Sequence, residues 1–417
     1  MSQKQLIKIL LSTVTGNLGS GILSFLIGLL ILKNTGSALS FGISQVIGPI
    51  VALLLLPLTG SVVDKFNKKT IIIYAQLLSI FSLTGYAVII HFQDFENLIY
   101  TYLLLIFLKI SDQFLTTAFT SSFINMVIDE HIQKLKSLQQ ILNALIMILA
   151  PILGVILYDS LSLFYLIILE IVLECLTIFI VISINFKFST PANDEREENS
   201  SSKSIYQLFK EGLSFILESK KLVFTLFFSM LTNFMFGAVN VGIPFIQINI
   251  LHFSNNIYGI TEAIFALGMI ISGIVLSASK DIQYPLFNSW RMIGVIGALF
   301  IMLGILLGIQ FEQLYFIIII SLFNLLIGIA ITLINVPFTV WLTKEIPSHY
   351  QGRVFNILST GAQLLSPLGI LAFSGLFDWY DSFMIFIITG ISILFITFIY
   401  PVIFKIRLKD NELLNNH

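Results

Sequence analysis

The sequence contains twelve apolar runs, each close to the length of a membrane span and separated from the next by polar residues. A helix needs about 20 mostly apolar residues to cross the hydrocarbon core of a bilayer. Only 11% of the residues are charged, so the chain lacks the polar surface that a soluble fold requires. The sequence therefore predicts an all-α membrane protein with twelve transmembrane helices. We place them at Ile9–Leu32, Phe41–Val63, Thr70–Ile90, Ile99–Met126, Leu138–Tyr158, Leu161–Ile184, Leu222–Ile250, Ile257–Ala278, Trp290–Ile309, Leu314–Leu342, Val354–Phe377 and Phe383–Phe404.

The basic residues are unevenly divided between the two sides of the predicted membrane. Of the 22 lysine and arginine residues, all but Lys33 and Lys109 fall on the side that carries both termini. Loops on the other side hold acidic residues instead, among them Asp94 and Asp159. Because cytoplasmic loops are enriched in lysine and arginine, we expect both termini to be cytoplasmic.

A polar segment divides the predicted spans into two groups of six. Residues 189–203 are rich in charged and small polar residues, which is typical of a flexible linker. Behind them, apolar residues recur at helical spacing over 205–216, which predicts an amphipathic helix along the cytoplasmic face. We expect residues 1–188 to form one six-helix bundle, residues 189–221 to form the linker with its helix, and residues 222–417 to form a second bundle with a short cytoplasmic tail.

The two halves also resemble each other at a nearly constant offset. Matching positions include Asn17 with Asn233, Gly42 with Gly259, Gln133 with Gln351, Pro151 with Pro367, and Asp159 with Asp378. Such repetition indicates two parallel repeats, and transporters built in this way bind substrate near the membrane midplane between the repeats. A duplicated membrane protein that transports nothing is the alternative within this architecture.

Several function classes lack their signatures. The formal net charge is −1, which gives no reason to expect a nucleic-acid partner. The sequence has no Walker loop for ATP, no G-x-S-x-G serine and no histidine pair at metal-ligand spacing. We therefore expect no cofactor and no metal. A membrane enzyme would need a convergent cluster of titratable residues near one interface, and a channel would not need the two-half repeat.

Three segments carry a family resemblance. The first runs from Gly60 through Asp64 to Lys69 and resembles the G-x-x-x-D-R-x-G-R-K/R signature of the major facilitator superfamily, with Asn67 in place of the second glycine. Lysines stand at two of its arginine positions. The other two segments are 150–154 (APILG) and 346–378, which are similar to elements of a bacterial exporter branch containing macrolide efflux proteins and enterobactin exporters.

The resemblance implies two six-helix bundles related by pseudo-two-fold symmetry, in a monomer of the bacterial plasma membrane. It implies export of a small organic molecule against proton entry by alternating access. Proton- or ion-coupled uptake stays open, because the orientation of the chain does not fix the direction of flux. A siderophore and a macrolide-like drug are the two substrate classes. The gating residues that the resemblance implies are Gly60, Asp64, Lys68, Lys69, Pro151, Gly154 and Arg353.

Ionisable side chains inside the predicted spans are candidates for binding substrate or protons, because an unpaired charge in lipid is costly. Lys109 and Asp112 lie three residues apart near the middle of the fourth span and can pair. They are either a local ion pair or a functional one, in which Lys109 contacts an anionic substrate such as a siderophore and Asp112 exchanges protons. Glu170 and Glu174 share one face of the sixth span, where a structural role is favoured over proton carriage. Glu262, near the outer end of the eighth span, is either a gate residue or hydrated.

Uncharged polar residues in the spans complete the candidates. Each can line a cavity or join two helices by a hydrogen bond. Those selected for the cavity are Asn17, Gln113 and Asn233, and the wider set adds Gln45, Asn143, Asn240, Asn324, Asn335 and Gln363.

Overall fold

A computed structural model describes residues 3–92, 97–126, 129–186, 205–279 and 282–405, and all regular structure in these ranges is helical. The chain begins with six long helices joined by short connections. They are α1 (Gln3–Thr35), α2 (Ala38–Lys65), α3 (Lys68–Phe92), α4 (Leu98–Met126), α5 (Asp129–Ser160) and α6 (Leu163–Ser183). The predicted linker at 189–203 lies outside the described residues.

The chain after residue 204 is also helical wherever it is described. Its helices are α7 (Ile205–Glu218), α8 (Lys220–Phe245), α9 (Asn255–Ala278), α10 (Pro285–Leu307), α11 (Gln313–Glu345), α12 (Ser348–Gln363), α13 (Ser366–Trp379) and α14 (Ser382–Phe404). A π-helical turn, Ile246–Ile250, extends α8. Ser219 caps the N-terminus of α8, where its side chain accepts a hydrogen bond from the backbone N–H of Leu222.

Eleven helical segments of the described chain are long and apolar enough to cross a membrane. They include segments in α1–α4, α6, α8–α11 and α14, and one that runs through α12 and α13. The predicted fifth span, Leu138–Tyr158, lies in α5, where the apolar stretch found among the described residues is the shorter Leu145–Ser160. The membrane-protein class is thus confirmed, and the number of twelve spans stays a prediction.

The described residues fall into two compact units. The first unit contains α1–α6 together with Phe253–Ala263, the segment that includes the first turns of α9. The second unit contains α7, α8, the rest of α9 and α10–α14. In the first unit α1 packs against α5 and α6, and α4 packs against α2 and α3, so polar residues on α1 and α4 are held inside this unit.

The predicted eleventh span, Val354–Phe377, is divided into two helices. α12 ends at Gln363 and α13 begins at Ser366, with Pro367 in its first turn. Proline has no N–H to donate and its ring clashes with the carbonyl four residues earlier, so a helix is interrupted before it. Pro151, its partner in the sequence repeat, lies instead within the continuous helix α5.

The amphipathic helix α7 buries its apolar face against protein. Ile216 is fully buried in a cluster with residues of α8, α11 and α12. Phe215 stacks on Tyr350 of α12 with ring centroids 4.9 Å apart. The predicted helix is therefore present, and the described part of its apolar face is covered by neighbouring helices of the second unit rather than by lipid. The cluster consists of Ile216, Leu222, Trp341, Leu342, Ile346, Val354 and Leu358.

Candidate functional site

A polar cavity of about 390 Å³ lies among α1, α2 and α4 of the first unit. We call it the lysine cavity. Its polar lining consists of Ser24, Ser44, Gln45, Lys109, Asp112, Gln113 and Thr116. Two of these helices contribute glycines to the lining, Gly28 and Gly48, and Gly48 lies beside the Lys109 side chain. The predicted candidates Lys109, Asp112 and Gln113 are thus brought together on one cavity wall.

Lys109 and Asp112 form an ion pair within α4. Lys109 Nζ donates to Asp112 Oδ2 at 3.0 Å, and the two side chains are 35% and 42% exposed. The aliphatic stem of Lys109 lies over Gly48, where an added Cβ would be 3.5 Å from Lys109 Cδ. The spacing predicts this pair because residues three apart on a helix share a face. The partial exposure shows that the pair faces the cavity.

A second cavity, of about 250 Å³, lies among α1, α3, α4, α5 and α6. We call it the glutamate cavity, and its lining includes Thr13, Asn17, Gln76, Asp112, Asn143, Glu174 and Thr177. Asn17 Nδ2 donates to Asn143 Oδ1 at 2.9 Å, so Asn17 both lines this cavity and joins α1 to α5. Asp112 lines both cavities and therefore connects the lysine pair with Glu174.

Glu174 and Gln76 are buried at the wall of the glutamate cavity. Glu174 lines it from α6 and Gln76 from α3. Gln76 is 2% exposed and Glu174 is 7% exposed. Within the described structure, Gln76 Oε1 and Glu174 Oε2 have no hydrogen-bond partner. Two buried acceptors without a donor are costly, which marks this pair as a place where a donor or cation belongs.

Glu170 has a different environment, although it lies only one turn before Glu174 on α6. It is buried, and its carboxylate packs against Gly19 of α1, where an added methyl group would collide with Glu170 Oε2. Glu170 is not among the residues that line either cavity. The two glutamates that the sequence treats as one pair are therefore separated by packing.

The predicted gating lysines bind backbone carbonyls within the first unit. Lys68 Nζ donates to the Ser121 carbonyl of α4 at 3.0 Å. Lys69 Nζ donates to the Ile184 carbonyl just after α6 at 3.1 Å. Cations are favourable near the C-terminal end of a helix, so these lysines fasten α3 to its neighbours. Gly60 and Asp64 lie in α2 and Arg353 in α12, but their side chains are outside the described part of the structure.

Pro151 and Gly154 lie where α1, α5 and the first turns of α9 meet. A Cβ on Gly154 would be 2.9 Å from Phe25 Cδ1, and one on Gly259 would be 3.1 Å from the Pro151 carbonyl oxygen. Phe25 stacks on Tyr258 with ring centroids 5.1 Å apart. These glycines therefore permit close contact between the helices.

Two predicted candidates lie elsewhere. Asn233 belongs to the second unit and donates to the Ser229 carbonyl of its own helix at 2.9 Å. Glu262 follows Tyr258 by one turn of α9 and lines neither of the two cavities. Gln76 and Thr177 were not among the predicted candidates. Both are polar residues inside predicted spans, which is the signal by which Asn17 and Gln113 were chosen.

Comparison with known proteins places this geometry in context. A sequence model of the Major Facilitator Superfamily matches residues 9–370. Macrolide efflux protein A of Streptococcus pyogenes is 25% identical over 403 residues, which are 94% of each chain. The protein of the same name from Enterococcus faecalis is 24% identical over 321 residues, or 75% of this chain and 94% of that one.

A solved structure shares the fold. The D-xylose-proton symporter matches with a TM-score of 0.71 at 14% identity, covering 98% of this chain and 99% of that chain. The family match spans most of the sequence and agrees with the apolar helices and the polar cavities inside them. The protein is therefore a multi-pass membrane transporter of a small molecule rather than an enzyme. The chain belongs to the Major Facilitator Superfamily.

Proposed function

We propose that the protein exports a small amphiphilic organic molecule in exchange for protons. It crosses the bacterial plasma membrane twelve times as a monomer, in two six-helix bundles related by pseudo-two-fold symmetry, with both termini in the cytoplasm. The bundles comprise residues 1–188 and 222–417, joined by the linker at 189–221. The distribution of basic residues supports the orientation. Alternating exposure of a central site to the two sides of the membrane performs the transport.

The observation that carries this proposal is the ion pair on the wall of the lysine cavity. A charged pair that faces a membrane-embedded cavity, with Gln113 and Gln45 beside it, is a polar recognition site within an apolar bundle. Lys109 and Asp112 contact the substrate in this proposal, and Asn17 and Gln113 provide hydrogen bonds. Asn233 and Glu262 line a part of the transport path that lies outside these two cavities.

We assign a macrolide-like substrate ahead of a siderophore. The positive charge of Lys109 is neutralised by Asp112 at 3.0 Å, so it gives less preference for a carboxylate than an isolated lysine would. The relatives named macrolide efflux protein A support the same choice. A neutral pair with Gln45 and Gln113 beside it fits an amphiphile that carries both polar and apolar groups.

Gating in this proposal uses the close contacts around Pro151 and Gly154, and the charged residues where α2 ends and α3 begins. The first turns of α9 separate from α5 when the path opens, which breaks the Phe25–Tyr258 stack and the hydrogen bond from Asn255 to Asp159. Gly60, Asp64, Lys68, Lys69 and Arg353 act at the cytoplasmic ends of their helices.

The test is transport in inverted membrane vesicles that contain the protein. Uptake of a labelled macrolide should require an imposed proton gradient and should stop when a protonophore is added at constant ATP. A siderophore tested in parallel should neither be transported nor compete. Transport that is unaffected by the protonophore would refute proton exchange, and transport in right-side-out vesicles driven inward by protons would favour uptake.

A further inference from the structure

We propose that Glu174 and Gln76 form a proton-binding site that is separate from the lysine cavity, and that a proton and a cationic substrate compete through Asp112. This inference rests on the proposed function for its link to transport. The proton site itself is argued from the glutamate cavity alone.

Two unpaired oxygens of Gln76 and Glu174 show that this site lacks a hydrogen-bond donor. Gln76 Oε1 and Glu174 Oε2 are acceptors, both residues are more than nine-tenths buried, and both line the glutamate cavity. A proton on Glu174 turns one of its oxygens into a donor and removes the net charge of the carboxylate. If the Gln76 amide then rotates, its oxygen accepts from that O–H. One proton therefore gives the unpaired Gln76 oxygen a donor and removes the charge from the buried carboxylate.

The charged groups close to Glu174 are acidic. Glu170 on the same helix and Asp112 on α4 are acidic and repel the Glu174 carboxylate. From α1, α3 and α5, the described cavity lining contributes uncharged side chains such as Asn17, Gln76 and Asn143.

Lys8 of α1 and Lys69 of α3 are engaged at the end of α6. Lys8 Nζ donates to the Ser183 carbonyl at 2.9 Å, and Lys69 donates to the Ile184 carbonyl at 3.1 Å. Lys68 of α3 donates to the Ser121 carbonyl at 3.0 Å, Lys33 of α1 lies over the Tyr158 ring, and Lys109 of α4 is paired with Asp112. A proton is then the charge that neutralises Glu174.

Asp112 transmits the state of Glu174 to the lysine cavity because it lines both cavities. When Glu174 is protonated, the group formed by Lys109, Asp112 and Glu174 has no net charge. When the O–H bond of Glu174 breaks, the electron pair stays on the carboxylate, the proton passes to solvent, and the group has a charge of −1. An amine substrate is attracted by that charge and a proton cancels it. The two ligands therefore exclude each other without touching, which is the condition for exchange.

Glu170→Gln is the matched control for Glu174→Gln, because Glu170 is buried on the same helix but packs against Gly19 outside the cavity. Infrared difference spectra between acidic and alkaline buffers, recorded on the purified protein without substrate, should show a carboxylic-acid C=O band. The band should lose a component in Glu174→Gln, keep it in Glu170→Gln and shift in Glu174→Asp. A spectrum of Glu174→Gln identical to that of the native protein would overturn the site, and so would loss of the component in Glu170→Gln alone.

The link to transport has its own measurement. Binding of a macrolide with a tertiary amine should weaken by up to about tenfold per unit decrease in pH in the native protein and in Glu170→Gln, because one proton is released per substrate bound. In Glu174→Gln the affinity should be low and independent of pH, and Glu174→Asp should restore the dependence. A native protein with the infrared component but without proton-driven flux would refute the proposed exchange and leave the proton site standing. A Glu174→Gln variant that keeps the native pH dependence would refute the competition.

Discussion

The ion pair between Lys109 and Asp112 permits a quantitative test by a double-mutant cycle. Lys109→Met keeps the apolar stem that packs over Gly48, and Asp112→Leu keeps a side chain of similar size. Each single change leaves the other residue charged in a membrane-embedded cavity. The double change removes both charges together, so the cycle separates the pair interaction from the cost of stranding one charge.

The size of the interaction follows from its distance and exposure. Solvent-exposed ion pairs contribute about 0.2–1 kcal/mol, whereas breaking a buried pair costs about 3–5 kcal/mol. With a separation of 3.0 Å and side chains 35% and 42% exposed, this pair lies between the two cases. We expect a coupling free energy of about 1–3 kcal/mol. The double variant should therefore lose less stability than the sum of the losses of the two single variants.

The assay combines unfolding of the detergent-purified protein with proton-driven flux in vesicles. All three variants should reach the membrane, and the double variant should recover most of the stability lost by the single variants. It should not transport, because both groups that face the substrate are gone. A coupling free energy close to zero would refute the electrostatic reasoning. Full transport by the double variant would show that α4 contributes packing alone.

Three further changes test other parts of the reasoning. If Asp64 acts in gating, Asp64→Asn should slow turnover and leave substrate affinity nearly unchanged. Flux kinetics and binding isotherms measure the two quantities, and an equal loss of both would assign Asp64 to substrate binding. Gly369→Ala should destabilise the protein by about 1–3 kcal/mol in thermal unfolding, because the added Cβ would be 2.8 Å from Phe234 Cα. Gly375→Ala on the same helix is the control, because its Cβ meets open space. Ile216→Ala should cost about 2–5 kcal/mol because the side chain is fully buried, while Leu217→Ala, at 63% exposure, should change the free energy of unfolding little.

The membrane-protein class was predictable from the sequence because it depends on local properties of each segment. A run of apolar residues such as Leu314–Leu342 is long enough to span a bilayer whatever its neighbours are, and the structure has a helix, Gln313–Glu345, at that place. The pair of Lys109 and Asp112 was equally local, since three residues on a helix bring two side chains to one face. The break between α12 and α13 before Pro367 was not predicted, and a proline alone does not decide it, because Pro151 lies within the continuous helix α5.

The grouping of side chains around Glu174 was decided by tertiary packing. The sequence spacing makes Glu170 and Glu174 neighbours on one face, but α1 covers Glu170 with Gly19 while Glu174 reaches a cavity beside Gln76 of α3. The packing of α7 against α11 and α12 was also decided by the tertiary structure. An amphipathic pattern shows that one face of a helix is apolar, but it does not show which residues pack against that face. Contacts between helices depend on how each helix is rotated and placed. That information lies in the packing of five helices around one cavity, and a sequence of apolar spans does not specify it.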